Sequence, residues 1–254
     1  MHHILKFMAF TAFGLLSGFA VGLGVMHSIE ESRKAPPLEE VSLHTADNVA
    51  TSLPIADQRT VKKSRLSTVR VLSLSEDQQT FSAASGTYFT SLGRHFILTV
   101  NHGIMGPCAL TKIEVGDNFV ACVQYIELNS GVDYAIIEVE EIENRVPIKI
   151  PQDLPKGKRP FSLMNTTYYT GFPNNAGPFT IRGSIIGYFN DDFIYLQSYG
   201  WAGSSGAGVF AQNGDLIGHV LAIDIGYTEY GVDVLEDVIL VVPVTRVNWA
   251  SIRR

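Results

Sequence analysis

The chain is 254 residues long, with 46% hydrophobic residues, 17% charged residues and a formal net charge of −6 at pH 7. That acidic balance argues against nucleic acid as a partner, and a total of two cysteines excludes a dense disulfide framework. There is no P-loop and no glycine fingerprint after a strand, and the adjacent His2 and His3 lack the spacing and company of a zinc site, so no cofactor and no metal are expected.

The first element is an uncharged run from Phe7 to Met26, long enough as a helix to span a bilayer. Segment 1–28 therefore reads as a single-pass transmembrane anchor, or as a signal segment since Lys6 precedes the run; no A-x-A site ends it, and it is long for a signal core. Gly14, Gly18 and Gly22 recur every fourth residue, a small face through which a homo-oligomer could form. The flanking charges, Lys6 on one side and Glu30, Glu31, Arg33 and Lys34 on the other, do not fix the topology.

Residues 29–60 are acidic on balance, include Pro36–Pro37 and lack a sustained apolar period, which predicts a flexible linker. The run VKKSRLSTVR that follows concentrates Lys62, Lys63, Arg65 and Arg70 and reads as a solvated approach to the first strand, in preference to a site for anionic headgroups or nucleic acid.

Residues 61–254, roughly 190 in all, suffice for one compact domain with a substantial core. Their apolar stretches are short: VRVLSL, TYFTSL, HFILTV, FVACVQYIEL, YAIIEV, FTIRGSIIGY, FIYLQS, GVFAQ, DLIGHVLAI and VILVVPV. Rich in Val, Ile, Phe and Tyr and broken by Gly, Asn, Asp and Pro, they predict an all-β unit of antiparallel strands. Only VTRVNWASIRR, at the end, suggests a helix.

Three polar residues stand out on this strand pattern. His102 ends ILTVNH, Asp133 opens DYAIIEV, and Ser205 lies on the glycine-rich bend of GWAGSSGAGVF. A serine hydroxyl is a poor nucleophile until an imidazole takes its proton, and the imidazole needs a carboxylate to fix its tautomer. Ser205, His102 and Asp133 supply those groups, and the N–H groups of Gly203 and Ser205 could bind the oxyanion of a tetrahedral intermediate. Taken singly, each has an ordinary explanation as a turn or strand-end residue; their coincidence in one chain favours peptide-bond cleavage.

These segments resemble the chymotrypsin-like serine peptidases, and within them the HtrA-like and compact bacterial or viral branches. GSSGAGV is similar to the GDSGGP or GNSGGP nucleophile motif, ILTVNHG to the strand ending in the general-base histidine, and VDYAII to the DIAL segment bearing the aspartate. The similarity runs from about Val69 to Trp249 and implies two six-stranded antiparallel β-barrels with a cleft between them. His102 and Asp133 would come from the first barrel and Ser205 from the second. Departures are Ser204 before the nucleophile and Gly208 in place of the usual proline, while Gly103 stands where animal digestive enzymes carry cysteine.

The resemblance implies a serine endopeptidase acting on a protein or peptide, either an extracytoplasmic protein or a viral polyprotein, with the catalytic unit extracytoplasmic or at a host membrane. The alternative is a catalytically silent adaptor that binds extended peptides in the old cleft. By the same resemblance Tyr199 lies at the floor of the first substrate pocket, and Leu221, Ala222 and Ile223 along its wall, which predicts a small or medium apolar residue before the cut bond. An insertion of one residue would bring Asp224 into play. His219 lies one residue off the position used by some viral relatives to read Glu or Gln, so an ordinary packed or surface role is expected for it. Whether Cys108 and Cys122 bridge is left open by the sequence.

Overall fold

The computed structural model describes residues 50–150, 161–189, 193–228 and 231–253, with the side chains of residues 222–236 outside that description. The expected anchor and its glycine face fall outside the described residues. Among those described, no helix is long and apolar enough to cross a membrane.

Two barrels make up the described fold. The first contains β1 (Thr68–Leu74), β2 (Phe81–Ser91), β3 (Arg94–Thr99), β4 (Thr111–Val115), β5 (Asn118–Asn129) and β6 (Tyr134–Val139). They run in the order β1-β4-β5-β6-β3-β2, closed by pairing of β1 with β2, and the short β7 (Ile148–Lys149) adds in parallel beside β2. The second contains β8 (Thr166–Gly171), β9 (Phe179–Phe189), β10 (Phe193–Gln197), β11 (Gly208–Ala211), β12 (Leu216–Thr228) and β13 (Gly231–Pro243), closed in the order β10-β13-β12-β11-β8-β9. Full closure leaves neither barrel with a long open edge.

The alternation of apolar residues along the strands fills three cores. Val69, Val71, Tyr88, Ile97, Ile113 and Ile137 fill the first barrel, and Ile185, Ile194, Leu196, Val209, Ile217 and Val241 the second. A third cluster joins Phe89, Phe96, Leu98 and Tyr134 of the first barrel to Phe210 and Leu216 of the second, so the barrels are welded by apolar burial, the dominant stabilising term.

Helix α1 (Ile55–Ser67) begins inside the segment expected to be linker and extends through most of the basic run. Its buried face is Asp57, Thr60, Val61, Ser64 and Ser67, spaced as one helical side but mostly polar. Hydrogen bonds do the docking: Thr60 Oγ1 donates to the Gln212 carbonyl (2.8 Å), Ser64 Oγ to Thr170 Oγ1 (2.8 Å) and Lys63 Nζ to the Gly214 carbonyl (2.6 Å). The expected solvated role of the basic run is corrected for three of its cations, since Arg65 binds the Pro178 carbonyl and Thr180, and Arg70 binds Glu114 and the carbonyls of Asn175 and Ala176. The folded unit therefore starts upstream of residue 61, with α1 held on the second barrel before the chain enters the first.

The expected C-terminal helix is two 3₁₀ turns, Val244–Arg246 and Ser251–Arg253. β-Branched Val244, Thr245, Val247 and Ile252 disfavour a continuous α-helix. The tail is anchored instead by burial of Val244, Val247 and Ile252 and by Trp249, which donates from its indole to the Val244 carbonyl (2.8 Å) and packs edge-on against Phe89.

Candidate active site

His102 lies three residues beyond β3, in a turn closed by the Ile104 N–H and the Asn101 carbonyl (2.9 Å). Asp133 occupies the turn between β5 and β6, with a left-handed φ of 63°. Asp tolerates that region better than most residues, at a cost on the order of 1 kcal/mol. Both carboxylate oxygens are used on one partner: Oδ1 accepts the His102 backbone N–H at 2.8 Å, and Oδ2 accepts the ring Nδ1–H at 2.5 Å. This network assigns the Nδ1–H tautomer, leaving Nε2 as the acceptor. The His102 side chain is 51% exposed against 23% for Asp133, so the imidazole faces the solvent side of the pair and the carboxylate the protein side. Burial alone would push the Asp133 carboxyl up; the two His102 hydrogen bonds, helped by the charges of His102 and His219, outweigh it and hold the group below the usual aspartate range.

Ser205 sits on a compact turn in which the Ser204 N–H bonds the Trp201 carbonyl (2.9 Å) and the Ala207 N–H bonds the Ser204 carbonyl (3.0 Å). Gly203 and Gly206 bracket it with φ of 93° and 88°. A Cβ at Gly206 would meet the Ser85 carbonyl oxygen at 2.0 Å, and one at Gly203 the Phe172 carbonyl oxygen at 2.4 Å, so both positions demand glycine for space as well as conformation. Among the described residues, the N–H groups of Gly203 and Ser205 have no protein acceptor, which leaves both for a ligand oxygen.

The residue that sets this turn is Ser85, on β2 of the first barrel, which the sequence did not single out. It is fully buried; its N–H donates to the Ser205 carbonyl (2.8 Å), its Oγ donates to the Gly203 carbonyl (2.7 Å) and accepts the Phe172 N–H (3.0 Å). One of two serines among the small residues of FSAASG, it carries no sequence signal of such a role.

The structure thus joins His102 to Asp133 directly and links the Ser205 turn to the first barrel through Ser85. It forms no hydrogen bond between Ser205 Oγ and the His102 ring among the described residues. Apo catalytic hydrogen bonds commonly tighten only when substrate binds.

Of the expected pocket residues, Tyr199 is exposed, stacks on Trp201 with ring centroids 6.2 Å apart, and offers its carbonyl to the Tyr169 hydroxyl. Leu221 is half-buried; Ala222 and Ile223 lie on β12 opposite Leu240 and Ile239. Register shifts fall between Val220 and Ala222 and between Ile223 and Asp224. Such bulges interrupt the regular backbone pairing of β12 before Asp224.

Cys108 and Cys122 are bridged, closing the segment after His102 onto β5. Among the described residues, no group of His, Cys, Asp and Glu is arranged to hold a metal ion.

Neither a protein-family model nor a curated protein matches the sequence. Solved structures do: the Rv3671c protease from M. tuberculosis in its active form superposes with a TM-score of 0.58 at 17% identity, covering 77% of this chain and 84% of that one. The fold is that of the chymotrypsin-like serine peptidases. A serine endoprotease from Yersinia pestis is a second similar structure, with a TM-score of 0.56 at 18% identity over 76% of this chain; the match spans 64% of the Yersinia chain. His102 and Asp133 stand on the first barrel, and the Ser205 turn leads into β11 of the second.

Proposed function

We propose that this chain is a serine endopeptidase in which Ser205 is the nucleophile, His102 the general base and Asp133 the residue that orients His102. The observation that carries the reading is the double acceptance of His102 by one Asp133 carboxylate, on the far side of the barrel junction from a serine held between two left-handed glycines. His102 Nε2 takes the Ser205 proton as Oγ attacks the substrate carbonyl, and the Gly203 and Ser205 amides receive the oxyanion. Imidazolium then protonates the leaving amine, the acyl-enzyme forms, and water activated by the same histidine releases the acid. No cofactor enters these steps.

The stacked Tyr199–Trp201 pair and the apolar wall residues Leu221, Ala222 and Ile223 favour a small or medium apolar residue before the cut bond. We further propose that residues 7–26 tether the enzyme to a membrane, with the domain on its oxidising side; the Cys108–Cys122 bridge supports that placement.

Incubating the full chain with a peptide library and reading the new termini by mass spectrometry tests the proposal. Cleavage after apolar residues that disappears in S205A is the expected result. Peptide binding without cleavage, equal in the wild type and S205A, would replace it with the adaptor reading.

A further inference from the structure

His219 is fully buried on β12 of the second barrel, paired with Gly208 of β11 and Val242 of β13. Its ring crosses the barrel junction. Nε2 lies 3.3 Å from the backbone carbonyl of Asp133, in the first barrel, and Nδ1 is buried with no partner. A carbonyl can only accept, so the proton is on Nε2 and the ring is the Nε2–H tautomer. Leaving Nδ1 unpaired carries the full desolvation cost of a buried polar atom, a cost that leucine or methionine at the same place would avoid. Packing alone is therefore a poor account of a histidine here.

The partner it holds is one that needs holding. Asp133 is a non-glycine residue at φ 63°, and the direction of its side chain, with both oxygens on His102, follows from that backbone conformation. Relaxation of Asp133 toward the ordinary β or α region would swing its carboxylate off the imidazole. The carbonyl of the same residue is where His219 takes hold.

We infer that His219 is a positioning residue: from the second barrel it donates a hydrogen bond to the Asp133 carbonyl, pins the left-handed backbone there, and so fixes the carboxylate on His102. Docking of the two barrels and alignment of the His102–Asp133 pair then become one event. The inference rests on the proposed function for its kinetic consequence but not for its structural one, and the test separates the two.

The test compares the full-length wild type, S205A, H219L and H219Q, the last placing an amide N–H where the ring Nε2–H was. Two readouts are taken: the low-field proton resonance of the His102 Nδ1–H in the resting protein, which needs no turnover, and kcat and KM on a peptide the wild type cleaves. In H219L the resonance shifts or broadens and kcat falls about 10- to 100-fold, with KM within about twofold, as a misplaced catalytic group requires. H219Q recovers most of both. An unchanged resonance and unchanged kcat in a folded H219L overturn the inference and leave His219 as packing. If H219L does not fold, H219N replaces it, since its shorter amide stays polar but falls short of the carbonyl, and the same loss is expected. If no peptide is cleaved even by the wild type, the protease reading fails on its own and the resonance alone decides the role of His219.

Discussion

Ser85 Oγ donates a 2.7 Å hydrogen bond to the carbonyl of Gly203, so a serine of the first barrel sets the peptide that leads into Ser205 on the second. The Ser85 N–H holds the Ser205 carbonyl as well. With both carbonyls drawn toward Ser85, the turn keeps the two N–H groups proposed for the oxyanion free of internal acceptors.

Removal of that hydroxyl in S85A leaves the Gly203 carbonyl and the Phe172 N–H without a partner. A loss of about 1 to 3 kcal/mol in unfolding free energy is expected, because each buried group keeps its desolvation cost. Activity should fall further than stability explains, by roughly 10-fold or more in kcat, as happens when an oxyanion donor is displaced. Denaturant unfolding and steady-state kinetics on the same preparation check this; wild-type kcat in S85A would remove Ser85 from the account.

Acid should loosen the fold through His219. Burial pushes this imidazole from an ordinary value of 6.5 down to about 4, so the unfolded chain binds the proton more readily than the folded one. Stability from this group is thus fully present above pH 6.5 and is lost as pH falls toward about 4, to a total of roughly 3 kcal/mol. The charged neighbours of the ring are Asp133, which favours its protonation, and His102, which opposes it. Asp133 adds its own loss at still lower pH, since its carboxyl is held below the usual range. Urea unfolding between pH 7 and 4 should show the slope in the wild type and a flatter one in H219L; parallel curves would contradict it.

The Cys108–Cys122 bridge closes a loop with a sequence separation of 14. Loop-closure entropy assigns such a cross-link about 3 kcal/mol. Reduction with dithiothreitol, or the double substitution C108S/C122S, should lower the unfolding midpoint accordingly, and an unshifted midpoint would show that the segment after His102 is held by its hydrogen bonds alone.

Strand composition and turn residues make the all-β barrels legible in the sequence, because Val, Ile, Phe and Tyr alternate between Gly- and Asn-bearing turns along most of residues 68–243. His102, Asp133 and Ser205 stand out as candidates for a different reason, each being a polar residue at the edge of such a strand pattern, and of these the structure joins His102 to Asp133. Helix α1 is not legible, since its buried face is Asp57, Thr60, Ser64 and Ser67 with only Val61 apolar. A helix docked by hydrogen bonds leaves no apolar period to read. Ser85 and the Asp133 contact of His219 are hidden likewise, being hydrogen bonds between residues 118 and 86 positions apart. The Cys108–Cys122 bridge needed a Cα separation of 5.4 Å, a distance that only the fold supplies.

The most direct measurement is labelling of the full chain by a fluorophosphonate probe, which reacts only with an activated serine, alongside S205A and H102A. Labelling in the wild type that is abolished in both variants is the result expected if His102 activates Ser205. A folded wild type that stays unlabelled, or one whose labelling survives H102A, would contradict the triad.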